Sequence, residues 1–195
     1  MKRRVFVSSL LLLAMPAVSL AGAFEDFFVA IKFDDEYRLK SLLLRGMDPN
    51  TVNEQGFPAI VFGMMQDSPN AVRVLLSSRK LNPDQADRRG ETPLMVACTL
   101  NKPEWVAALL EKGAKQGGDG QWTALHNAAA SGSLESIELL AKSGVKIDVL
   151  TPNDTTPLMM AAREGREAAA RMLLKLGANP ALKNQAGYNA AGYAM

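Results

Sequence analysis

Residues 87–184 read DRRGETPLMVACTLNKPEWVAALLEKGAK (87–115), then GQWTALHNAAASGSLESIELLAKSGVKID (120–148) and NDTTPLMMAAREGREAAARMLLKLGANPALKN (153–184). These segments are three copies of one pattern. Thr92, Thr123 and Thr156 occupy the same place in each copy and lie 31 and 33 positions apart. A period near ~33 residues is typical of a stacked array of repeats, so the array must be interpreted before any single residue.

Each copy contains two apolar segments. A Leu two residues after the Thr opens an alanine-rich segment, and a second segment closes at Gly113, Gly144 or Gly177. Apolar residues recur in the second segments at the spacing of one helix face, as in Val106, Leu109 and Leu110. The pattern therefore predicts two short helices per copy, with a glycine after the second.

The pattern resembles the ankyrin repeat. GETPLMVA (90–97) and TTPLMMAA (155–162) match the family's opening, Gly-x-Thr-Pro-Leu-His-x-Ala-Ala, except at the His, which TALHNAAASG (123–132) keeps as His126. LLKLGANP (173–180) and LLRGMDPN (43–50) match its closing segment. The resemblance implies an all-α solenoid of helix–turn–helix units with β-turn fingers, and a usual role in binding other proteins.

The pattern predicts about five repeats and a half cap. The boundaries are approximately 24–52, 53–86, 87–117, 118–150 and 151–183, with a partial C-terminal cap at 184–195. The second repeat is degenerate, because Pro58-Ala59-Ile60 replaces Thr-Pro-Leu and Arg79 stands where a Gly is expected. Half a repeat at the C-terminus should leave part of the fifth repeat's second helix poorly covered.

The first 23 residues have the order of regions found in a secretory signal peptide. Lys2, Arg3 and Arg4 precede an apolar run that ends near Pro16, and small residues allow cleavage after Ala21 or Ala23. The rival interpretation is a retained membrane anchor, but a spanning helix needs ~20 apolar residues and this run is shorter. We therefore expect a periplasmic or secreted domain, 24–195, with no stable membrane insertion after cleavage.

Charge excludes one class of partner. The whole chain carries a formal net charge of +2, and without residues 1–23 it holds 19 basic and 20 acidic residues. A near-neutral domain has no electrostatic footprint for nucleic acid. We expect a monomer that binds a protein of unknown identity.

Chemistry-bearing residues are few. The chain has one Cys, Cys98, and one His, His126, so neither an intrachain disulfide nor a histidine-rich metal site is expected. The resemblance implies that His126 binds the backbone of a neighbouring turn. An enzyme built on Cys98 and His126 is the alternative, but both are expected to be buried and no third group orients them. We expect no cofactor and no catalysis.

The candidate binding residues follow from the resemblance. In that fold the fingers present their second, third and fifth residues to the concave side, and each first helix adds the two residues before its end. The candidates are Phe57, Arg88, Arg89, Glu91, Trp122, Thr155, Arg163, Glu164 and Tyr188. Aromatic and Arg residues carry most of the energy at interfaces, so Trp122 with Arg88 and Arg89 is the predicted centre. The alternative is that the exposed rings only pack on adjacent fingers.

Overall fold

A computed structural model describes residues 20–117 and 120–193 of the chain. Over these residues the chain forms eleven α-helices and no strand. They are α1 (Leu20–Lys32), α2 (Glu36–Leu44), α3 (Ala59–Met65), α4 (Pro69–Ser77), α5 (Pro93–Thr99), α6 (Pro103–Glu111), α7 (Ala124–Ser131), α8 (Leu134–Lys142), α9 (Pro157–Arg163), α10 (Glu167–Lys175) and α11 (Ala190–Tyr193). Five helix pairs and one short final helix confirm the predicted all-α ankyrin solenoid of about five repeats and a half cap.

The helices stack in two layers. The odd-numbered helices pack on one another in order along one layer, and most even-numbered helices do so along the other. Leu109, Leu140 and Leu173, one from each of the last three pairs, are completely buried. Every pair thus places its apolar stripe between the layers, and each repeat buries that stripe only by contacting its neighbours.

Helix ends follow from the repeated Thr and Gly residues. The Thr92 hydroxyl accepts a hydrogen bond from the Met95 N–H at 3.3 Å, and the Thr156 hydroxyl accepts one from the Met159 N–H at 3.2 Å. These bonds satisfy a backbone donor that the first turn leaves unpaired. α3 begins instead after Pro58, whose side chain can accept no such bond.

Loop side chains tie successive repeats together. Asn50 accepts a bond from the Asn82 N–H at 2.7 Å, and Asp84 accepts one from the Lys115 N–H at 2.7 Å. Asp148 accepts the Asn179 N–H through both oxygens at 3.1 Å. The corresponding residue of the third repeat is Gly117, which has no side chain for this bond.

The second-helix layer is interrupted between the second and third repeats. α2 packs closely on α4, α6 on α8 and α8 on α10, whereas α4 and α6 approach each other much less closely. Trp105, the third residue of α6, is buried. The matched residues of α4, α8 and α10 are Ala71, Ser136 and Ala169. The third repeat therefore has a large ring where the other second helices after the first have a small side chain.

The two ends of the chain are covered differently. α11 packs on α9 and leaves exposed both Leu174, on α10, and Leu176, which follows α10, and this agrees with the predicted half cap. Residues 1–19, most of the predicted signal peptide, lie outside the described residues, and α1 begins at Leu20. Over the part of the chain that the structure describes, no helix has both the length and the apolar character needed to span a bilayer.

Candidate protein-binding surface

A cleft opens between the third and fourth fingers. Its volume is about 740 Å³, and it lies between the 87–91 finger, the 120–122 finger and the first-layer helices α5 and α7. Its lining combines apolar side chains with both charges: Trp122, Met95, Arg89, Glu91, Lys115, Gln116, Gln121 and Asn127. The cleft is therefore suited to a contact that is partly apolar and partly polar.

Trp122 stands at the rim of this cleft and is 45% exposed. The other side of its ring packs edge-on against the His126 ring, with centroids 5.6 Å apart and an interplanar angle of 65°. A large ring held on one side and open on the other loses little conformational freedom when a partner covers it. Of the predicted site residues, Trp122 best retains the properties expected of an anchor.

His126 is the rigid support beneath Trp122. It is completely buried, with Nδ1 lying 3.3 Å from the Thr123 nitrogen and 2.9 Å from the Thr123 Oγ1. Because Nδ1 accepts the Thr123 N–H, we assign the proton to Nε2, which donates to the Thr155 carbonyl at 3.1 Å. Burial lowers the pKa of His126, although backbone hydrogen bonds at Thr155 and Val149 oppose that shift. The bond to the Thr155 carbonyl confirms the predicted link from His126 to a neighbouring turn.

Thr155 does not lie on the binding surface, and its inclusion among the exposed candidates was wrong. It is only 4% exposed, its carbonyl accepts the His126 bond, and its N–H donates to the Thr151 hydroxyl at 3.0 Å. Its backbone is thus held by two hydrogen bonds inside the stack. The fifth position of this finger therefore has a structural role.

Arg89 is occupied by its own finger. It binds Asp87 at 3.2 Å and Glu91 at 2.6 Å, and its guanidinium carbon lies 5.9 Å from the centre of the Phe57 ring. Burial would raise the pKa of Asp87, but hydrogen bonds from the Glu91 and Arg89 N–H groups and from the Arg89 side chain outweigh it and hold that pKa below its ordinary value. Asp87 therefore stays ionised and fixes the finger.

Arg88 lies across the preceding finger. Its guanidinium donates to the Glu54 carbonyl at 3.3 Å, and its side chain covers Gly56, where an added Cβ would come within 2.3 Å of Arg88 Nε. A side chain at this position would have to displace the arginine, and the φ of 90° at Gly56 favours glycine independently. Arg88 and Arg89 thus connect the second and third fingers, and both remain on the exposed surface beside the cleft.

The other predicted residues lie away from the cleft. Phe57 is half-buried and packs against the core. Tyr188 is 53% exposed and its ring contacts that of Tyr193, with centroids 5.7 Å apart. Arg163 and Glu164 are exposed at the end of α9 and pair with each other at 3.0 Å. None of these residues lines the cleft.

Sequence analysis missed several polar members of the cleft, among them Asn127, Lys115 and Gln116. Asn127 donates to the Thr99 hydroxyl at 2.9 Å, and Lys115 and Gln116 follow α6. Gln116 Nε2 donates to the Ser143 hydroxyl, while Gln116 Oε1 is buried and has no hydrogen-bond donor among the described residues. Asn127 could have been found as the one amide in an alanine-rich helix. Gln116 has no signal in the sequence, because its environment depends on how the repeats stack.

Cys98 and His126 do not form a pair. Cys98 is completely buried, and burial raises the pKa of its thiol to about 12, so it stays protonated and unreactive. The Cys98 carbonyl accepts the Ser131 hydroxyl at 2.8 Å, which places Cys98 beside the last turn of α7, whereas His126 lies in the first turn. Among the described residues, no three His, Cys, Asp or Glu side chains are grouped to hold a metal.

Comparison with known proteins gives consistent matches. The family model for ankyrin repeats (three copies) matches residues 27–118 and 115–184. Human transient receptor potential cation channel subfamily A member 1 is 30% identical over 150 residues, which cover 72% of this chain and 13% of the channel. An ankyrin repeat-containing protein of Treponema pallidum (strain Nichols) is 28% identical over 178 residues, 88% of this chain and 58% of that protein.

The glp-1 protein of Caenorhabditis elegans is 34% identical over 152 residues, which cover 70% of this chain and 12% of that protein. The chain thus spans from about an eighth to just over half of the length of these relatives.

Proposed function

Because this chain belongs to the ankyrin repeat family, whose repeats mediate protein–protein interaction, we propose that it binds a partner protein in the cleft between its third and fourth fingers. The observation that carries the proposal is Trp122, a half-exposed ring at the rim of a cleft of about 740 Å³. The chain acts by binding and not by catalysis.

The character of the cleft sets the chemistry of the contact. Interfaces gather their energy at aromatic anchors in central pockets, and surrounding polar groups fix orientation. Arg89 already pairs with Asp87 and Glu91 of its own finger, so the walls of the cleft contribute more to specificity than to attraction. A partner that places an apolar group against Trp122 fits best.

The place of action belongs to the same proposal. The basic start, apolar run and small residues within 1–23 support export to the periplasm or to the outside of the cell, followed by cleavage after Ala21 or Ala23. Intact mass of the protein recovered from the exported fraction tests this. A protein that retains its first 20 residues in the membrane would contradict it. We further propose that the exported domain is monomeric and does not bind nucleic acid.

Site-specific crosslinking tests the binding site. A photoreactive amino acid at Gln121, an exposed residue of the cleft, should capture the partner from the exported fraction, and the same group at Glu138 on α8 should not. Trp122→Ala should reduce capture from position 121 at least about tenfold, as is common for central aromatic anchors. Tyr188→Ala removes an exposed ring from the matched position of the last finger and should leave capture unchanged. Equal capture from both crosslinking positions would show that the site lies elsewhere.

A further inference from the structure

A second surface stands out because the repeats can be compared with one another. Leu44, the last residue of α2, is 89% exposed. The matched residues at the ends of α4, α6, α8 and α10 are Ser77, Glu111, Lys142 and Lys175. All other second helices therefore place a polar residue where the first repeat exposes a leucine. A large apolar side chain in water at such a position indicates a surface that becomes covered.

The end of α4 departs from the pattern beside Leu44. The second helices of the other repeats are followed by a left-handed glycine, such as Gly46 with φ of 100°. In α4 the matched residue is Arg79, and Ser78 before it is extended, with φ of −70° and ψ of 127°. One extra residue then precedes the buried Leu81. The chain therefore leaves α4 in another direction than it leaves the other second helices.

These two departures border one cleft. It has a volume of about 470 Å³ and lies between the ends of α2 and α4. Leu43, Leu44, Met47, Pro49 and Val74 form its apolar walls. The cleft is on the layer of second helices, so it is separate from the Trp122 cleft on the side of the fingers.

The rim of the cleft is positively charged. Lys40, Arg79 and Lys80 line it, and Arg45 follows Leu44 in the chain. Lys40 pairs with Glu36, but within the described residues no carboxylate pairs with Arg45, Arg79 or Lys80.

Two further charged residues, Asp48 and Lys112, lie close to the rim. Asp48 is the nearby acid, and it already accepts the Asn50 N–H at 2.9 Å. Lys112 brings a further cation to the edge, donating to the Ser78 carbonyl at 2.8 Å. An apolar recess surrounded by unpaired cations complements an apolar group flanked by carboxylates.

We propose that this cleft binds a short acidic amphipathic segment of a partner protein, with apolar side chains against Leu44 and carboxylates on Arg79 and Lys80. Arginine and lysine at the rim bind carboxylates by charge-assisted hydrogen bonds, and the leucine supplies the apolar contact. The chain's own residues 1–19 are a poor occupant, because Lys2, Arg3 and Arg4 carry the same charge as the rim. A recess also receives side chains better than it receives the flat surface of a bilayer.

Fluorescence anisotropy with an array of labelled peptides tests the proposal. The peptides vary the spacing of Leu and Phe within a Glu-rich background, and a second set replaces every Glu by Lys. At least one acidic peptide should bind saturably, its lysine counterpart should not, and added salt should weaken the binding. Leu44→Ser, which installs the residue of the matched position in α4, and Lys80→Glu should each weaken binding about tenfold, the size of one strong anchor.

Three controls separate this site from its alternatives. Lys142→Ser changes the position matched to Leu44 in α8 and should leave peptide binding unchanged. Trp122→Ala should also leave it unchanged, so that failure here and failure of the finger cleft are distinguishable. Thermal melts show whether the variants fold, which the high exposure of Leu44 and Lys80 favours.

The proposal is overturned if no acidic peptide binds saturably, if lysine peptides bind as well, or if Leu44→Ser binds as the parent chain does. Vesicles that contain phosphatidylserine provide the last discrimination. Vesicles that bind the parent chain but not Leu44→Ser, without any peptide binding, would assign the cleft to a lipid surface instead.

Discussion

The first two repeats and the last three are built differently, although all five share one pattern. In the last three, Thr92, Thr123 and Thr156 begin the first helices, and His126 joins one finger to the next. In the second repeat Pro58 takes the place of the Thr. α4 and α6 lie farther apart than α6, α8 and α10 lie from their neighbours, and α6 contains the buried Trp105. The second helix of the degenerate repeat is thus the one that is set apart from the next repeat.

Polar contacts span this loose junction. Lys102 binds Asp67 at 2.7 Å, Lys112 binds the Ser78 carbonyl at 2.8 Å and Arg88 binds the Glu54 carbonyl at 3.3 Å. Contacts of this kind at the surface are screened by water and contribute little to stability. The stability of a solenoid is a sum of repeat and interface contributions, so the junction between the second and third repeats is where cooperativity should fail first.

The largest effect is expected from Trp105→Ala. The indole is buried at the junction, and removing a large buried ring costs about 3–5 kcal/mol in the free energy of unfolding. Because the loss falls on the weakest interface, unfolding should separate into two steps, the first two repeats melting before the last three. Urea unfolding followed by circular dichroism measures both effects.

Trp122→Ala provides the matched control for Trp105→Ala. It removes the half-exposed tryptophan and should cost far less. A single transition with a loss below about 1 kcal/mol for Trp105→Ala would mean that the indole does not hold the junction.

The next effect compares two buried leucines at matched positions, Leu140 in α8 and Leu75 in α4. Each is completely buried, and Leu→Ala at such sites costs about 2–5 kcal/mol. α8 is packed tightly on both sides, so the cavity left by Leu140→Ala cannot collapse, whereas the loose side of α4 permits relaxation. Leu140→Ala should therefore lie in the upper part of the range and Leu75→Ala in the lower part. Equal losses, measured by urea unfolding of both variants, would contradict the proposed difference in packing.

A smaller effect should depend on pH. Burial depresses the pKa of His126 below its ordinary value of 6.5, so the folded state holds the ring neutral while the unfolded state can protonate it. The stabilisation is fully present above pH 6.5 and declines as the pH falls from there toward the folded pKa. One proton gives a slope of at most about 1.4 kcal/mol per pH unit.

Comparison with His126→Gln isolates this contribution. The variant should be less stable than the parent at pH 7.5. Its free energy of unfolding should also depend less on pH, because the contribution of the imidazole is gone. Urea midpoints of both chains between pH 5 and 7.5 give the difference, and parallel pH profiles would exclude the assigned role of His126.

The smallest effect concerns the helix caps. Thr156→Ala removes the oxygen that accepts the Met159 N–H and should cost about 1 kcal/mol, within the typical 0.5–2 kcal/mol for a capping residue. Thr156→Ser keeps an oxygen in the same place and should lose less than half as much. Thermal unfolding of the two variants side by side checks this, and equal losses would point to packing of the Thr methyl group instead.

The sequence predicts the fold well because the repeat is a local pattern. Regular spacing of Thr, Leu and Gly is enough to predict the helix pairs, and it places Leu109 and Leu140 in the core. The sequence also predicts that Trp122 lies at a solvent-facing finger tip, which agrees with its exposure. These properties depend only on residues within one unit.

Other properties depend on the contacts between units and could not be predicted. Thr155 is buried because His126, almost thirty residues earlier, needs its carbonyl. Arg88 lies over Gly56 on another finger, and no local pattern indicates that pairing. The sequence shows that the second repeat is degenerate. It does not show how far α4 lies from α6, because that distance depends on how the two repeats stack. The exposure of Leu44 indicates a binding surface only when Leu44 is compared with the polar residues at the matched positions of the other second helices.

The buried cysteine gives this solenoid an internal reporter of its own fluctuations. Cys98 is the chain's one thiol and lies in α5, the helix that borders the loose junction. Since a buried thiol is modified only after the surrounding structure opens, its rate of reaction with a disulfide reagent measures the population of opened molecules. Without any engineered label, that rate records how often the stack opens around α5, and how far a bound partner suppresses the opening.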